Sequence, residues 1–198
     1  MSVRSPLRIA ALLLLAASTL TLQGCFTLAA TGIGAAALAV DDRRPFGLYI
    51  EDENIEIKAR VRLINDFKDG HVNVTSFNQL VMLTGEVPTE QAKKDVEAMV
   101  RGIPSVKNVA NELAVAGNSS LVSRSGDSLT TTSVKARFLN NNKFSANHVK
   151  VVTEAGTVFL MGIVTREEGD AAAEIARNTS GVSRVVKVFE YVDQVPKR

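Results

Sequence analysis

The chain repeats itself. Written against its own sequence 77 positions later, it pairs Lys58, Ala59 and Arg60 with Lys135, Ala136 and Arg137, His71 and Val72 with His148 and Val149, Val74 with Val151, and Gly85 with Gly162. After Pro88 the offset becomes 76, pairing Thr89 with Thr165, Arg101 with Arg177, Val106 with Val182 and Val109 with Val185. One single-residue gap, at a proline that a loop tolerates, completes the match. A duplication constrains the fold more than any local propensity, because each copy must build the same elements around the same kind of core.

Each copy gives the same coarse pattern. In the first, Ile57, Val61 and Ile64 recur at helical spacing and predict a helix over 53–67 with that stripe as its apolar side. Val72 and Val74, then 80–87, alternate as two strands joined by a turn at Phe77 and Asn78. Thr89 opens a second helix with Ala92, Val96, Met99 and Val100 on one face, Gly102 closes it, and 106–115 is the last strand. In the second copy, Glu154, Ala155 and Gly156 make the turn between strands 149–153 and 157–164. Thr165 and Glu168 fit a capping box ahead of Ala172, Ile175 and Ala176, and 185–192 closes the unit. The polar, turn-prone stretches 117–120 and 123–126 place a linker between the copies. The expected fold is α+β: two tandem αββαβ domains, 51–116 and 127–193, each a three-stranded sheet packed by two helices on one face.

Ahead of the repeats, Arg4 and Arg8 precede an apolar run over 9–22, too short to cross a bilayer comfortably, and this reads as a secretory signal. The run ends at Leu22, Gln23, Gly24 and Cys25, and Cys25 is the one cysteine of the chain. A lone cysteine in an exported protein is an odd thiol or a modified one. Directly after Leu-x-Gly, it resembles the lipobox of bacterial lipoproteins. That resemblance implies cleavage after residue 24 and acylation of Cys25, and the absence of Asp at position 26 implies release to the outer membrane. Residues 26–40 carry no charge but fall short of the roughly 20 residues a spanning helix needs. Together 25–50 read as a lipidated tether.

The lipobox, two tandem αββαβ repeats, a glycine late in the second strand of each (Gly85, Gly162) and a late Val-x-x-Val in each (Val106 to Val109, Val182 to Val185) resemble the BON domain. The whole arrangement is similar to the dual-BON-domain outer-membrane lipoproteins of Gram-negative bacteria. The resemblance implies a lipid-anchored, periplasm-facing protein that binds phospholipid and supports outer-membrane integrity.

Chemistry has few candidates. His71 and His148 occupy equivalent positions in the two copies, as duplication of a structural residue would leave them. The histidines and carboxylates show no metal-ligand clustering, and no phosphate-cradling glycine loop appears, so neither an enzyme nor a cofactor is expected. Gly85 and Gly162 fit a bulge or close helix packing. Export, a mature chain with no net charge and the lack of Trp argue against nucleic acid.

Binding remains. Residues 51–116 carry a net charge of −3 and 117–198 a net charge of +3, so the second copy suits an anionic surface. On a helical wheel Val134 and Phe138 point inward, while Ser128, Leu129, Thr132, Ser133 and Ala136 lie elsewhere, uncharged, with Arg137 at their margin. The repeat alignment sets Asp52, Ile55, Glu56 and Ala59 opposite the same face in the first copy, where two carboxylates would repel an anionic leaflet. The family resemblance points to the same helix. Residues 128–137 are thus expected to meet a membrane of phosphatidylglycerol or cardiolipin. The alternative is a periplasmic adaptor, with the acidic first copy or a sheet edge docking a protein partner.

Overall fold

The computed structural model describes residues 42–67, 69–117 and 120–194. The first repeat runs α1 (Phe46–Asp66), β1 (His71–Phe77), β2 (Leu80–Val87), α2 (Glu90–Arg101), β3 (Asn108–Asn111) and β4 (Ala114–Val115). The second runs α3 (Leu121–Leu139), a 3-10 turn (Ala146–His148), β5 (Lys150–Glu154), β6 (Thr157–Val164), α4 (Arg166–Arg177) and β7 (Arg184–Tyr191). Both copies are αββαβ.

The hairpins follow from their turns. β1 and β2 pair antiparallel from His71 opposite Glu86 to Phe77 opposite Leu80, leaving Asn78 and Gln79 to reverse the chain at φ of 54° and 66°. Ala155 and Gly156 do the same in the second repeat at 48° and 71°. Positive φ at both central residues is the turn geometry whose twist matches a hairpin. Helices α2 and α4 then carry the chain back across the sheet, so β3 and β4 lie parallel to β2, and β7 parallel to β6. Both helices open on a threonine cap. Thr89 accepts from the Ala92 amide, and Thr165 and Glu168 form the expected reciprocal box. The last strand of the first repeat is not continuous over 106–115. Leu113 turns into the core and its amide is held by the Asn111 side chain, which breaks the strand into β3 and β4.

A carboxylate near the start of each repeat's first helix reaches over the hairpin. Asp52 accepts from the amides of Asn78 and Gln79, both at 2.8 Å, and from the Ser76 hydroxyl at 2.6 Å. Asp127 accepts from the amides of Ala155 and Gly156, both at 2.9 Å. A reversed turn points two amides at the helix, and a carboxylate satisfies both at once.

These clamps correct the alignment of the copies. Asp52 and Asp127, Ile55 and Thr130, Ala59 and Val134, and Leu63 and Phe138 are structural equivalents, and each pair is 75 residues apart, not 77. The second copy carries two additional residues between its first helix and first strand. Two residues turn a helix by about 200°, so the first copy's inward and outward faces are the reverse of those expected. Ile55, Ala59 and Leu63 are buried with Asp52 and Glu56, whereas Ile57, Val61 and Ile64 are 54, 54 and 69% exposed. In α3, Val134 and Phe138 are buried as their spacing predicts. Both first helices also begin early. α1 takes in residues read as tether, and residues 121–126, read as linker, form the opening of α3 behind a Ser120 cap.

Three apolar clusters result. Beneath the helices of the first repeat lie Ile55, Leu63, Val81, Leu83, Val96 and Val100 among others. Beneath those of the second lie Val134, Phe138, Val158, Leu160, Ala172 and Ala176. The third joins the repeats. Phe77 and Met82 from the helix-free face of one sheet meet Phe159 and Met161 from that of the other, flanked by Leu80, Val152, Ile163, Val186 and Val188. Both sheets are therefore covered on both faces.

Gly85 and Gly162 serve the hairpins rather than helix packing. A Cβ at either would overlap the carbonyl of the facing strand or turn, that of His71 and of His148 respectively. Gly162→Ala is expected to destabilise the protein by about 2–4 kcal/mol. Gly126→Ala, in α3 with open space around it, is expected to stabilise it by about 0.5–1 kcal/mol. Urea unfolding of both variants checks the contrast.

Candidate functional site

Cys25 lies outside the described residues. The other residues singled out in sequence share the solvent side of α3. Ser128, Leu129, Thr132, Ser133, Ala136 and Arg137 are all exposed, Leu129 to 71%. The hydroxyls are turned back on their own helix. Ser128 donates to the Arg124 carbonyl at 3.1 Å, Thr132 to that of Ser128 at 3.0 Å and Ser133 to that of Leu129 at 2.9 Å. A hydroxyl bonded this way loses less on leaving water than a free one. Arg137 crosses to the end of α4, where Nη1 donates to the Asn178 carbonyl and, at 3.3 Å, to the Thr179 hydroxyl. A cation suits that helix C-terminus.

Two features of this surface were not read from the sequence. Leu139, at the far end of α3, is 74% exposed and adds a second apolar side chain. The single acid of α3, Asp127, is buried and holds the hairpin turn, so the helix presents cations and no exposed carboxylate. The contrast drawn with the first copy does not stand. With the corrected register, the α1 residues equivalent to Leu129, Thr132, Ser133, Ala136 and Arg137 are Asn54, Ile57, Lys58, Val61 and Arg62. Asp52 and Glu56 are inside. What separates the helices is acid elsewhere: α1 keeps Glu51, Glu53 and Asp66 outside the buried set, and α3 has no counterpart.

The segment before α1 is tied to both repeats. Arg43 makes a two-pronged pair with Glu168 at 2.7 and 2.6 Å and donates to the Ile163 carbonyl at 2.7 Å, all in the second repeat. The Arg43 hydrogen bonds hold the Glu168 carboxyl below its ordinary range. Arg44 turns to the first repeat, reaching Asp52 at 2.6 Å and stacking over Phe77 at 3.9 Å from the ring centre. Further bridges join the repeats: Lys150 to Glu56 at 2.8 Å, Asn73 to Glu154 at 2.7 Å and Asn78 to Glu190 at 2.6 Å. A cleft of about 400 Å³ beside α1 and α3 is lined by Arg44, Tyr49, Phe77, Lys135, Leu139 and Lys150 among others. Two of its cations, Arg44 and Lys150, already face carboxylates.

His71 and His148 do not share surroundings. His71 lies 3.8 Å from Glu154 and beside Asn73, whereas His148 ends the 3-10 turn. Among the described residues no group of three or more His, Cys, Asp or Glu is placed to hold a metal ion, and no helix is long and apolar enough to cross a membrane.

Two αββαβ units, each closed by a parallel last strand, match the BON domain family at residues 51–117 and 126–193. The chain belongs to that family and carries two BON domains. It is 40% identical over 192 residues to the outer membrane lipoprotein DolP of Haemophilus influenzae, a match spanning 96% of this chain and 98% of that one. It is also 36% identical to a 21 kDa hemolysin of Actinobacillus pleuropneumoniae, over 76% of this chain and 79% of the other. The osmotically-inducible protein Y of Escherichia coli is 29% identical over 70% of this chain and 72% of its own length.

Glu154 gives the junction a pH dependence. Burial raises its carboxyl above the ordinary range, against the Asn73 hydrogen bond and His71, which lower it, with Glu86 and Asp127 adding to the rise. The folded state therefore keeps this proton to higher pH than the unfolded chain. Stability from this site is fully present below the unfolded value and is lost as pH rises through the folded one. Glu154→Gln cannot titrate and still offers Asn73 an acceptor. Its Tm is expected to rise relative to wild type between pH 4 and pH 7; a constant difference across that range would exclude the effect.

Proposed function

We propose that this protein is an outer-membrane lipoprotein, acylated at Cys25 and facing the periplasm, whose second BON domain binds anionic phospholipid and so supports envelope integrity. The anchor is supported by the Leu-x-Gly-Cys sequence and by similarity along nearly the whole chain to a named outer membrane lipoprotein. The lipid contact rests on one observation: α3 exposes Leu129 and Leu139 among cations, with its one carboxylate withdrawn into the hairpin clamp.

The physical sequence is short. Arg124, Lys135 and Arg137 attract the leaflet, each juxtamembrane cation contributing about 1 kcal/mol. Leu129 and Leu139 enter the headgroup layer, and the back-bonded hydroxyls let the surface between them follow at little cost. An aromatic would seat more firmly at that depth than leucine does, so binding is modest and works together with the acyl chains. Glu51 and Glu53 disfavour the same approach by α1.

The test uses the mature chain with Cys25→Ser, which removes the anchor and leaves the domains. It is expected to bind phosphatidylglycerol vesicles and to ignore phosphatidylcholine ones. Leu129→Glu is expected to weaken binding roughly tenfold, through the lost apolar contact and the added repulsion. Unchanged vesicle co-sedimentation by that variant would remove α3 from the account.

A further inference from the structure

Helix α1 is apolar on both sides. Its buried side holds the first repeat's core. Its solvent side carries Phe46, Ile50, Ile57, Val61 and Ile64, each at least 44% exposed, within about 40° of one line and over about 27 Å of helix. Exposed apolar stripes of this length are uncommon on a monomer and mark interaction surfaces.

The charges beside the stripe select the occupant. Taking the stripe as the front of the helix, Glu51 and Lys58 flank it on one side, and Glu53 and Arg60 on the other. On both sides the acid comes seven residues before the base. When two identical helices lie antiparallel across a two-fold axis, each flank meets the same flank of its partner in reverse order. With the axis near residues 55 and 56, Glu51 faces the second copy's Lys58 and Glu53 faces its Arg60. The same axis sets Ile50 against Val61 and Phe46 against Ile64. A parallel pair would instead bring opposite flanks together, with Glu53 beside the second copy's Glu51 and Arg60 beside its Lys58. A lipid leaflet would have to take up the same two carboxylates.

We infer that α1 is a self-association surface on which a second copy of this chain docks antiparallel. Glu51–Lys58 and Glu53–Arg60 pairs between copies set the direction, and the apolar stripe supplies the attraction. One helix pair is smaller than the roughly 1,600 Å² of a standard interface, so the dimer is weak in free solution. Copies confined to one surface meet at a higher effective concentration. The inference does not depend on the lipid reading of α3.

The mature chain with Cys25→Ser, followed by sedimentation velocity across a concentration series, is expected to dimerise reversibly. Lys58→Glu is expected to weaken dimerisation about tenfold, since two flank pairs change from attraction to repulsion, and the exchange Glu51→Lys with Lys58→Glu to restore it. A short bis-maleimide should link Asn54→Cys to itself, near the axis. It should not link Asn65→Cys, whose copies stand about 28 Å apart along the helix. A chain monomeric throughout the series overturns the inference, as do linkage through Asn65→Cys alone and equal weakening by the single variant and the exchange. A dye on Ile57→Cys separates the other occupants. A shift that needs vesicles assigns the stripe to membrane, and one independent of concentration assigns it to residues 26–40 of the same chain; either overturns the dimer.

Discussion

A carboxylate reaching from a helix to a hairpin turn sets the rotation of the first helix in each repeat. Asp52 and Asp127 each take two turn amides. A hairpin reversed through positive φ presents those amides on the helix side, and each bond the carboxylate accepts there contributes about 1 kcal/mol. Once the carboxylate is fixed, the helix cannot turn about its axis without losing both bonds. Everything outward is settled with it. In α3 the side left facing solvent is Leu129, Ser133 and Ala136; in α1 it is the isoleucine stripe.

That interaction also explains where sequence reasoning held and where it failed. The hairpin strands, the caps at Thr89 and Thr165 and the inward pair Val134 and Phe138 were legible because each rests on local chemistry: apolar runs on either side of a turn, a hydroxyl ahead of a helix, helical spacing. The register of the first helices was not, because it rests on a contact between Asp52 and residues 26 and 27 positions away. The Lys-Ala-Arg match at offset 77 fell two residues from the structural equivalence, and two residues suffice to exchange the faces of a helix. Ile57, Val61 and Ile64 had the right period and were assigned to the wrong side. A helix with two apolar faces gives one periodicity twice, and periodicity alone does not say which face is inside.

The joining of the two sheets left a signal that could have been used. Strands β2 and β6 are nearly continuous apolar runs, Val81–Leu83 and Val158–Met161 being buried without alternation. A strand covered on one face alternates, and a strand covered on both does not. Met82 and Met161 are what that difference corresponds to in space, with Phe77 and Phe159 completing the layer. Arg43 and Arg44 carried no comparable cue, since two aspartates and two arginines after an uncharged stretch read equally well as a solvated tether.

The two arginines are neighbours in the chain, yet they grip different repeats. One peptide link therefore straps the seam, with Glu168 held on one side and Asp52 on the other. Parting the halves would break at least one of those charged contacts. The same strap limits how far either half can swing against its sister.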